Sequence, residues 1–265
     1  MSIRRVETRK GTQVRVLEAG PAQGRPLVFL HGLTGLHDDR DRRFLDLLAD
    51  RYHVYAPELP GYGESAGEEL LEDMLDFSLH GWDVLAALGL SREQPALVGH
   101  SLGGMIAAEM TCLAPELVGK LVLVSALGLW LDDHPIPDIF SFLPFEFGDY
   151  LFHDPERGGA LLTGEDFDQT EALQTFLVAN ARRLGTAGKM LFPIPDRRIA
   201  KRLYRLATDT LIVWGESDRL TPPVYAQRWA DLLPCAVMTC LAEAGHMVPY
   251  EQPEALAREV MGFVG

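Results

Sequence analysis

The chain is poor in cysteine and in positive charge. It has three cysteines among its 265 residues, and none belongs to a Cys/His cluster with metal-ligand spacing. The length of the chain excludes a disulfide-stabilised miniprotein, and the odd number of cysteines favours reduced thiols in a cytoplasmic protein. Asp and Glu outnumber Lys and Arg by 38 to 24, which gives a formal net charge of −14. Because an acidic protein repels phosphate groups, we expect no nucleic acid and no anionic membrane as partner.

Long apolar runs are also absent from the sequence. The longest nearly apolar run, residues 121–131, has about half of the ~20 residues that a membrane-spanning helix needs. No apolar stretch follows the basic residues at the start, so we expect no signal peptide. Hydrophobic residues make up 47% and charged residues 23% of the chain, which is typical of a folded globular domain.

Short apolar runs alternate with helical patterns along most of the chain. The runs are rich in Val and Leu without polar alternation, as in strands buried on both faces of a parallel sheet; they cover residues 27–30, 54–56, 96–98, 121–124, 211–214 and 236–241. Helical patterns lie between them, at residues 44–49, 74–88, 105–113, 224–233 and 255–260. An alternating pair, residues 3–7 and 13–17, predicts an antiparallel hairpin at the sheet edge. Together they predict an α/β fold with a mostly parallel central sheet and helices on both faces.

The alternation stops between residues 128 and 205. This segment holds 11 of the 23 aromatic residues of the chain, and residues 172–184 within it have a helical pattern. It is too long for a simple crossover and too apolar for a disordered loop. We therefore predict a helical cap at 128–205, inserted into a core domain made of residues 1–127 and 206–265. The cap aromatics either form the core of the cap or line a pocket.

Two segments match the nucleophile pattern Gly-x-Ser-x-Gly, one around Ser65 and one around Ser101. A catalytic serine of this type needs a buried strand that ends at the serine and a helix that starts after it. An apolar strand pattern, residues 96–98, leads towards Ser101, and small residues suited to a helix start follow it. No strand leads directly into Ser65. We predict Ser101 as the nucleophile, although a serine there could also cap a helix, and we assign Ser65 to a loop.

A histidine must take the proton of the serine, because a serine hydroxyl alone is a poor nucleophile. In this strand–turn–helix arrangement the chain order is Ser, acid, His. Of the eight histidines, only His134, His153 and His246 follow Ser101, and the first two lie in the predicted cap. His246 follows the last predicted strand, so we predict it as the base.

The acid that orients the base must lie at the carboxyl end of a strand, where open α/β sheets bind ligands. The loop after residues 211–214 contains Glu216 and Asp218. We predict Asp218 as the acid and keep Glu216 as the alternative. For the oxyanion hole we predict two backbone N–H groups: that of Leu102, directly after the nucleophile, and that of Leu33, in the glycine-containing loop after residues 27–30.

These segments together resemble the α/β-hydrolase superfamily. The resemblance extends through the chain, at residues 31–32, 60–65, 99–104, 215–222 and 245–251. It implies the α/β-hydrolase fold, and the length and the single insertion are similar to the capped group of esterases, carbon–carbon hydrolases and haloperoxidases. The cap itself carries no motif of any one activity.

The resemblance also limits the reactions that we expect the protein to catalyse. Haloalkane dehalogenases and epoxide hydrolases carry Asp where this chain has Ser101. Carbon–carbon hydrolases of ring-cleavage products typically have Asn before the nucleophile and Trp after the base, where this chain has His100 and Met247. We therefore expect a serine carboxylesterase for small to medium apolar acyl esters. Carbon–carbon hydrolysis, a haloperoxidase-like activity and a hydrolase-like receptor with slow turnover remain alternatives.

Two arginine pairs in the cap bear on the charge of the substrate. They are residues 182–183 and 197–198, and we expect them on exposed helix faces. A pair turned inward would instead receive an anion. We expect a small-molecule substrate, no cofactor and no metal, and a monomer or homodimer.

Overall fold

The computed structural model describes residues 1–36, 42–142, 146–156, 158, 170–192 and 198–265. In these ranges the chain forms one eight-stranded sheet: β1 (Ser2–Glu7), β2 (Gln13–Ala19), β3 (Pro26–Leu30), β4 (His53–Pro57), β5 (Ala96–His100), β6 (Lys120–Val124), β7 (Thr210–Gly215) and β8 (Ala236–Leu241). The order across the sheet is β1-β2-β4-β3-β5-β6-β7-β8. The first two strands pair antiparallel, β2 also pairs antiparallel with β4, and all other pairs are parallel. The predicted fold, including the edge hairpin, is confirmed.

Eight α-helices lie in the described ranges: α1 (Arg42–Ala49), α2 (Met74–Ala87), α3 (Leu102–Leu113), α4 (Phe147–Leu151), α5 (Thr170–Leu191), α6 (Val224–Leu232), α7 (Val248–Glu251) and α8 (Pro253–Val264). Short 3-10 helices lie at Glu68–Leu70, Pro115–Leu117, Ile199–Lys201 and Leu203–Arg205. None of the helices in these ranges combines the length and the apolar composition needed to cross a membrane.

Both faces of the sheet are buried, which explains why the strand sequences do not alternate. In β5, Leu97 packs into the hydrophobic cluster that contains α2, α3 and α6, while Ala96 and Val98 pack into the cluster of α1 and α8. The same division holds in β6, where Leu121 and Leu123 face one cluster and Val122 and Val124 face the other. Apolar residues at consecutive positions therefore bury both sides of each strand.

Helices α4 and α5 lie between β6 and β7, within the segment predicted as a cap. The predicted helix at 172–184 is part of α5, which is longer at both ends. Three cations of α5 bind carbonyl oxygens of the preceding chain: Arg182 binds Ser65, Arg183 binds Thr34, and Lys189 binds Glu68 and Leu71. These bonds hold α5 against the loops at the carboxyl ends of the strands. The division into a core domain and a cap stays a prediction.

Candidate active site

Ser101 lies at a sharp turn between β5 and α3. Its φ is 54° and its ψ is −116°, a region that residues other than glycine rarely occupy. Two backbone hydrogen bonds hold the turn: Ser101 N–H donates to the carbonyl of Val124 at 2.9 Å, and Leu127 N–H donates to the carbonyl of Ser101 at 3.1 Å. The Ser101 side chain makes no capping hydrogen bond to α3. Its hydroxyl is therefore not used as a helix cap.

Glycines on both sides of Ser101 allow the strand and the helix to approach closely. A Cβ atom at Gly103 would lie 2.1 Å from the carbonyl oxygen of Leu30, at the end of β3. A Cβ atom at Gly99 would lie 2.4 Å from the carbonyl oxygen of Gly103. Any larger residue at either position would push α3 away from the sheet, so the sharp turn depends on both glycines.

The loop after β8 brings His246 to Ser101. The Nε2 atom of His246 lies 2.7 Å from Oγ of Ser101, and its Nδ1 atom lies 2.9 Å from Oδ2 of Asp218. All three side chains are buried, each with at most 3% of its surface exposed. The structure thus brings the predicted nucleophile, base and acid into one line of hydrogen bonds, although they come from the ends of three different strands.

Asp218 is surrounded by donors. Its Oδ1 accepts the backbone N–H groups of Leu220 and Thr221, and its Oδ2 accepts the Thr221 hydroxyl at 2.9 Å in addition to His246. These bonds engage both carboxylate oxygens and hold the side chain in place beside His246. The alternative acid, Glu216, is exposed to solvent two residues earlier. Asp218, and not Glu216, therefore contacts the base.

The loop after β3 lies beside Ser101. His31 fixes this loop: its Nε2 accepts the N–H of Leu59 at 3.0 Å, so its Nδ1 carries the proton and donates to the carbonyl of Gly32 at 2.8 Å. Leu33 follows in the turn and lines the same cleft as Ser101. Leu102 is the first residue of α3, where backbone N–H groups have no acceptor within the helix. Both predicted oxyanion donors therefore belong to segments next to Ser101, and their role stays a prediction.

Comparison of the sequence with models of known protein families shows which family the chain belongs to. The sequence model of the alpha/beta hydrolase family matches residues 27–259, which is most of the chain. The chain belongs to the alpha/beta hydrolase family. The resemblance seen in the sequence is therefore confirmed, and this alpha/beta hydrolase is an enzyme of the hydrolase class.

Relatives of this alpha/beta hydrolase carry different activities in their names. One relative is the 2-hydroxy-6-oxo-6-(2'-aminophenyl)hexa-2,4-dienoic acid hydrolase of Metapseudomonas resinovorans, which is 26% identical to this chain over 271 residues. The alignment covers 96% of this chain and 88% of the relative. This chain is 25% identical over 285 residues to Lipase 1 of Psychrobacter immobilis, which covers 99% and 84%. Among solved structures, the esterase RhEst1 from Rhodococcus sp. ECU1013 superposes with a TM-score of 0.77 at 23% identity, over 100% of this chain and 98% of that one. That likeness shows the fold alone.

A narrow cleft in the hydrolase opens at Ser101 and His246. Its lining is almost wholly apolar, and it includes side chains from the core and from the segment between β6 and β7; the apolar residues are Leu33, Leu127, Ile139, Phe147, Leu151, Leu220 and Met247. Among the cap aromatics in the described ranges, Phe147 alone is part of this lining. Phe142 instead stacks on Tyr150, and Phe152 is buried in the hydrophobic core. Phe145 and Phe167 lie outside the described residues.

The arginines at 182–183 are not on exposed helix faces, contrary to our expectation. Arg182 forms a bidentate pair with Glu68, which lowers the pKa of that carboxyl. Arg183 is half-buried and donates to the carbonyl of Thr34 at 2.9 Å. Burial lowers its pKa, and the nearby Tyr62 and Tyr250 partly oppose that effect. Of the other pair, Arg197 lies outside the described residues.

His100 also belongs to the site, although the sequence did not predict a role for it. It is buried, lines the cleft, and its Nε2–H donates to the carbonyl oxygen of His246 at 2.8 Å. Burial, followed by the nearby His246, lowers the pKa of His100 to about 3, so its ring is neutral. No sequence pattern predicts this hydrogen bond, because it joins residues 146 positions apart. In the described part of the chain, no group of three His, Cys, Asp or Glu residues could hold a metal ion.

Proposed function

We propose that this hydrolase is a serine carboxylesterase that cleaves esters of small to medium apolar acyl groups. The observation that supports the proposal most strongly is the line of hydrogen bonds from Ser101 through His246 to Asp218 at the floor of an apolar cleft. In this proposal Ser101 is the nucleophile, His246 is the general base and acid, and Asp218 holds the imidazole in the reactive tautomer.

The first half of the reaction forms an acyl-enzyme. Oγ of Ser101 attacks the ester carbonyl carbon while Nε2 of His246 takes its proton. The backbone N–H groups of Leu33 and Leu102 donate to the oxyanion of the tetrahedral intermediate. His246 then protonates the alcohol oxygen, the carbon–oxygen bond breaks, and the alcohol leaves.

The second half returns the serine. A water molecule gives its proton to His246 and attacks the acyl carbon, and the resulting tetrahedral intermediate uses the same two N–H donors. His246 protonates Oγ of Ser101 as the acyl bond breaks. The products are one carboxylic acid and one alcohol for each ester and water consumed, and the proton of His246 is returned in each half.

The cleft supports an apolar acyl group. Each methylene that leaves water for an apolar lining improves binding by up to about 0.8 kcal/mol until the space is filled. A free carboxylate would lose its hydration against side chains such as Phe147 and Leu151, in a protein with a net charge of −14. We therefore expect kcat/KM to increase from acetyl to about butyryl or hexanoyl and then to decrease.

Carbon–carbon hydrolysis is the second candidate, and Arg183 is the observation that favours it. Its guanidinium is half-buried behind the loop that carries Leu33, and its Nε has no hydrogen-bond partner among the described residues. A cation held there could attract the carboxylate of a dienoate. The named relatives do not separate the two candidates, because the dienoic acid hydrolase and the lipase are about equally similar to this chain.

One substrate panel tests both candidates. The purified protein is assayed on p-nitrophenyl esters from acetate to decanoate and on a ring-cleavage dienoate, and Arg183→Ala is assayed in parallel. The esterase proposal predicts many turnovers on the short esters and little change in Arg183→Ala. A dienoate rate far above every ester rate, lost in Arg183→Ala, would overturn it. A single slow burst on all substrates would instead favour a receptor.

A further inference from the structure

Glu251 is a carboxylate that the proposed reaction does not use, yet it contacts the loop of the proposed base. It is the last residue of the short helix α7, five positions after His246. Its Oε2 accepts the backbone N–H of Gly245 at 2.6 Å, and its Oε1 accepts the backbone N–H of His153 at 2.7 Å. In the described part of the chain, no Lys or Arg side chain forms an ion pair with it.

The two N–H groups belong to two segments whose backbones are in direct contact. A Cβ atom at Gly245 would be 2.7 Å from the carbonyl oxygen of Leu151 and 2.8 Å from the backbone nitrogen of His153. The base loop therefore packs directly on the backbone that follows α4. Met247 N–H adds a bond across the same contact, to the carbonyl of Leu151 at 3.0 Å. Glu251 spans this contact, with one oxygen on each side.

Helix α4 and the residues after it are also bound to the acid loop. Nδ1 of His153 lies 2.8 Å from the Ser217 hydroxyl, and Arg219 donates to the carbonyl of Asp149 at 2.7 Å. Ser217 and Arg219 are the two neighbours of Asp218. The base loop, the acid loop and the cleft wall formed by Phe147 and Leu151 are thus joined through one short stretch of chain.

We propose that Glu251 is a positioning residue for His246: it binds the residue before the base to the chain after α4 and so keeps the imidazole aligned with Ser101. The inference rests on the proposed role of Ser101 and His246. A neutral side chain cannot replace the carboxylate fully, because the backbone N–H groups of Gly245, His153 and Asp154 that face it are all donors. A glutamine would present its own NH₂ group to one of them, so one bond would be lost and two donors would face each other.

The expected result is a loss in kcat with little change in KM. A displacement of about 1 Å in a reacting group costs about 100-fold in rate. We expect kcat to fall about 100-fold in Glu251→Ala and about 10-fold in Glu251→Gln, which keeps one acceptor. The matched control is Glu254→Gln, three residues further on, where the carboxylate is exposed and pairs with Arg43 at the surface. Its kcat should stay within about twofold of the wild type.

The pH dependence separates positioning from a general loss of structure. Burial raises the pKa of Glu251 above its usual range, against the bonds from Gly245, His153 and Asp154. The titratable side chain that acts on it through charge is His153. When Glu251 is protonated it resembles glutamine, so the ratio of wild-type to Glu251→Gln kcat/KM should approach one as the pH falls.

The experiment measures kcat and KM on p-nitrophenyl butyrate from pH 5 to 8, per active site titrated with a fluorophosphonate in the variants that keep Ser101 and per folded protein in Ser101→Ala. Ser101→Ala is included to separate the two levels of inference. If Ser101→Ala keeps its activity, the proposed function fails. If Ser101→Ala is inactive while Glu251→Gln and Glu251→Ala match the wild type, the role of Glu251 alone fails. A pH-independent ratio, or loss of folded protein in both Glu251 variants, would also overturn positioning in favour of a structural role.

Discussion

Two buried serines occupy the same five-residue pattern in this chain, and they do different things. Oγ of Ser65 accepts the backbone N–H of Arg15 at 2.9 Å, whereas Oγ of Ser101 lies 2.7 Å from Nε2 of His246. Both serines are at most 3% exposed. Burial and motif are therefore the same, and the difference lies in the backbone that presents each hydroxyl and in the groups around it.

The surroundings of Ser65 form a closed polar network. Arg15 pairs with Glu58 at 2.8 Å, both nearly fully buried, and the second oxygen of Glu58 accepts the N–H of Glu64. Arg182 from α5 adds a bond to the carbonyl of Ser65. The buried charges are paired with one another, and Oε1 of Glu64 lies 3.5 Å from Nε of Arg15. The hydrogen bonds of Ser101 instead lead from the cleft to a buried carboxylate, which is the arrangement that proton transfer needs.

The largest expected effect is on the two serines themselves. Ser101→Ala should lower kcat by about 10⁶-fold, because the members of a catalytic triad act as a unit. Ser65→Ala should keep nearly full kcat and lose about 1 kcal/mol of stability with its hydrogen bond. Steady-state kinetics and urea unfolding of the two variants measure both quantities. If Ser65→Ala is the inactive variant, our choice between the two motifs is wrong.

The next effect concerns the acid beside the Ser101 motif. Asp218→Asn keeps the shape of the side chain but presents a donor to Nδ1–H of His246, so kcat should fall about 10⁴-fold. Glu216→Gln, at an exposed position in the same loop, is the matched control and should keep kcat within about twofold. The kcat of both variants on one ester gives the answer. Equal losses would mean that Asp218 is not the orienting acid.

The contrast between the serines also shows what the sequence can predict. A strand ending at Ser101 and a helix starting after it are local features, readable from apolar and small residues. The order of serine, acid and base then identified Asp218 and His246, which the structure brings into contact. The parallel sheet was predictable for the same reason, since buried strands and amphipathic helices alternate along the chain.

Contacts between distant segments were not predictable in the same way. His100 binds the carbonyl of His246, and Glu251 binds the N–H of His153, across 146 and 98 positions. The expectation for residues 182–183 was wrong because helical periodicity does not show which core loop a helix will meet. The sequence also did not show which cap aromatics line the cleft. Phe142 and Tyr150, for example, stack on each other instead.

A third prediction tests the closed network around Ser65. Glu58→Gln removes the charge opposite Arg15 and should lower the free energy of unfolding by about 3 kcal/mol, because it leaves a buried cation without its carboxylate. Glu64, 3.5 Å from Arg15, replaces part of the lost pairing. The kcat of the folded fraction should stay at the wild-type value. Chemical denaturation gives the stability, and active-site titration with kinetics gives kcat per folded molecule.

A large loss of kcat in folded Glu58→Gln would contradict this view, because it would show that the polar network around Ser65 contributes to catalysis. Glu7→Gln is the control for the substitution itself, because Glu7 is an exposed residue of β1. It should change the free energy of unfolding by less than about 0.5 kcal/mol.

The smallest effect compares one buried histidine in each region. His80 lies 3.3 Å from the Thr12 hydroxyl near Ser65, and His100 precedes Ser101. Burial lowers the pKa of His80 to about 4 and, together with His246, that of His100 to about 3. The unfolded chain takes up protons at both residues near pH 6.5, whereas the folded protein does not. Stability should therefore be greatest above about pH 6.5 and fall as the pH decreases towards 4.

Each histidine adds up to about 1.4 kcal/mol per pH unit to that slope. His80→Gln and His100→Gln should each remove a similar part of it, measured by urea unfolding between pH 4 and 7. Their activities should differ, because only His100 holds the backbone of His246. We expect nearly wild-type kcat in His80→Gln and about a 10-fold loss in His100→Gln, as for a displaced reacting group. Equal kcat in both variants would show that the bond from His100 does not align the base, and the two regions would then differ only at Ser101, His246 and Asp218.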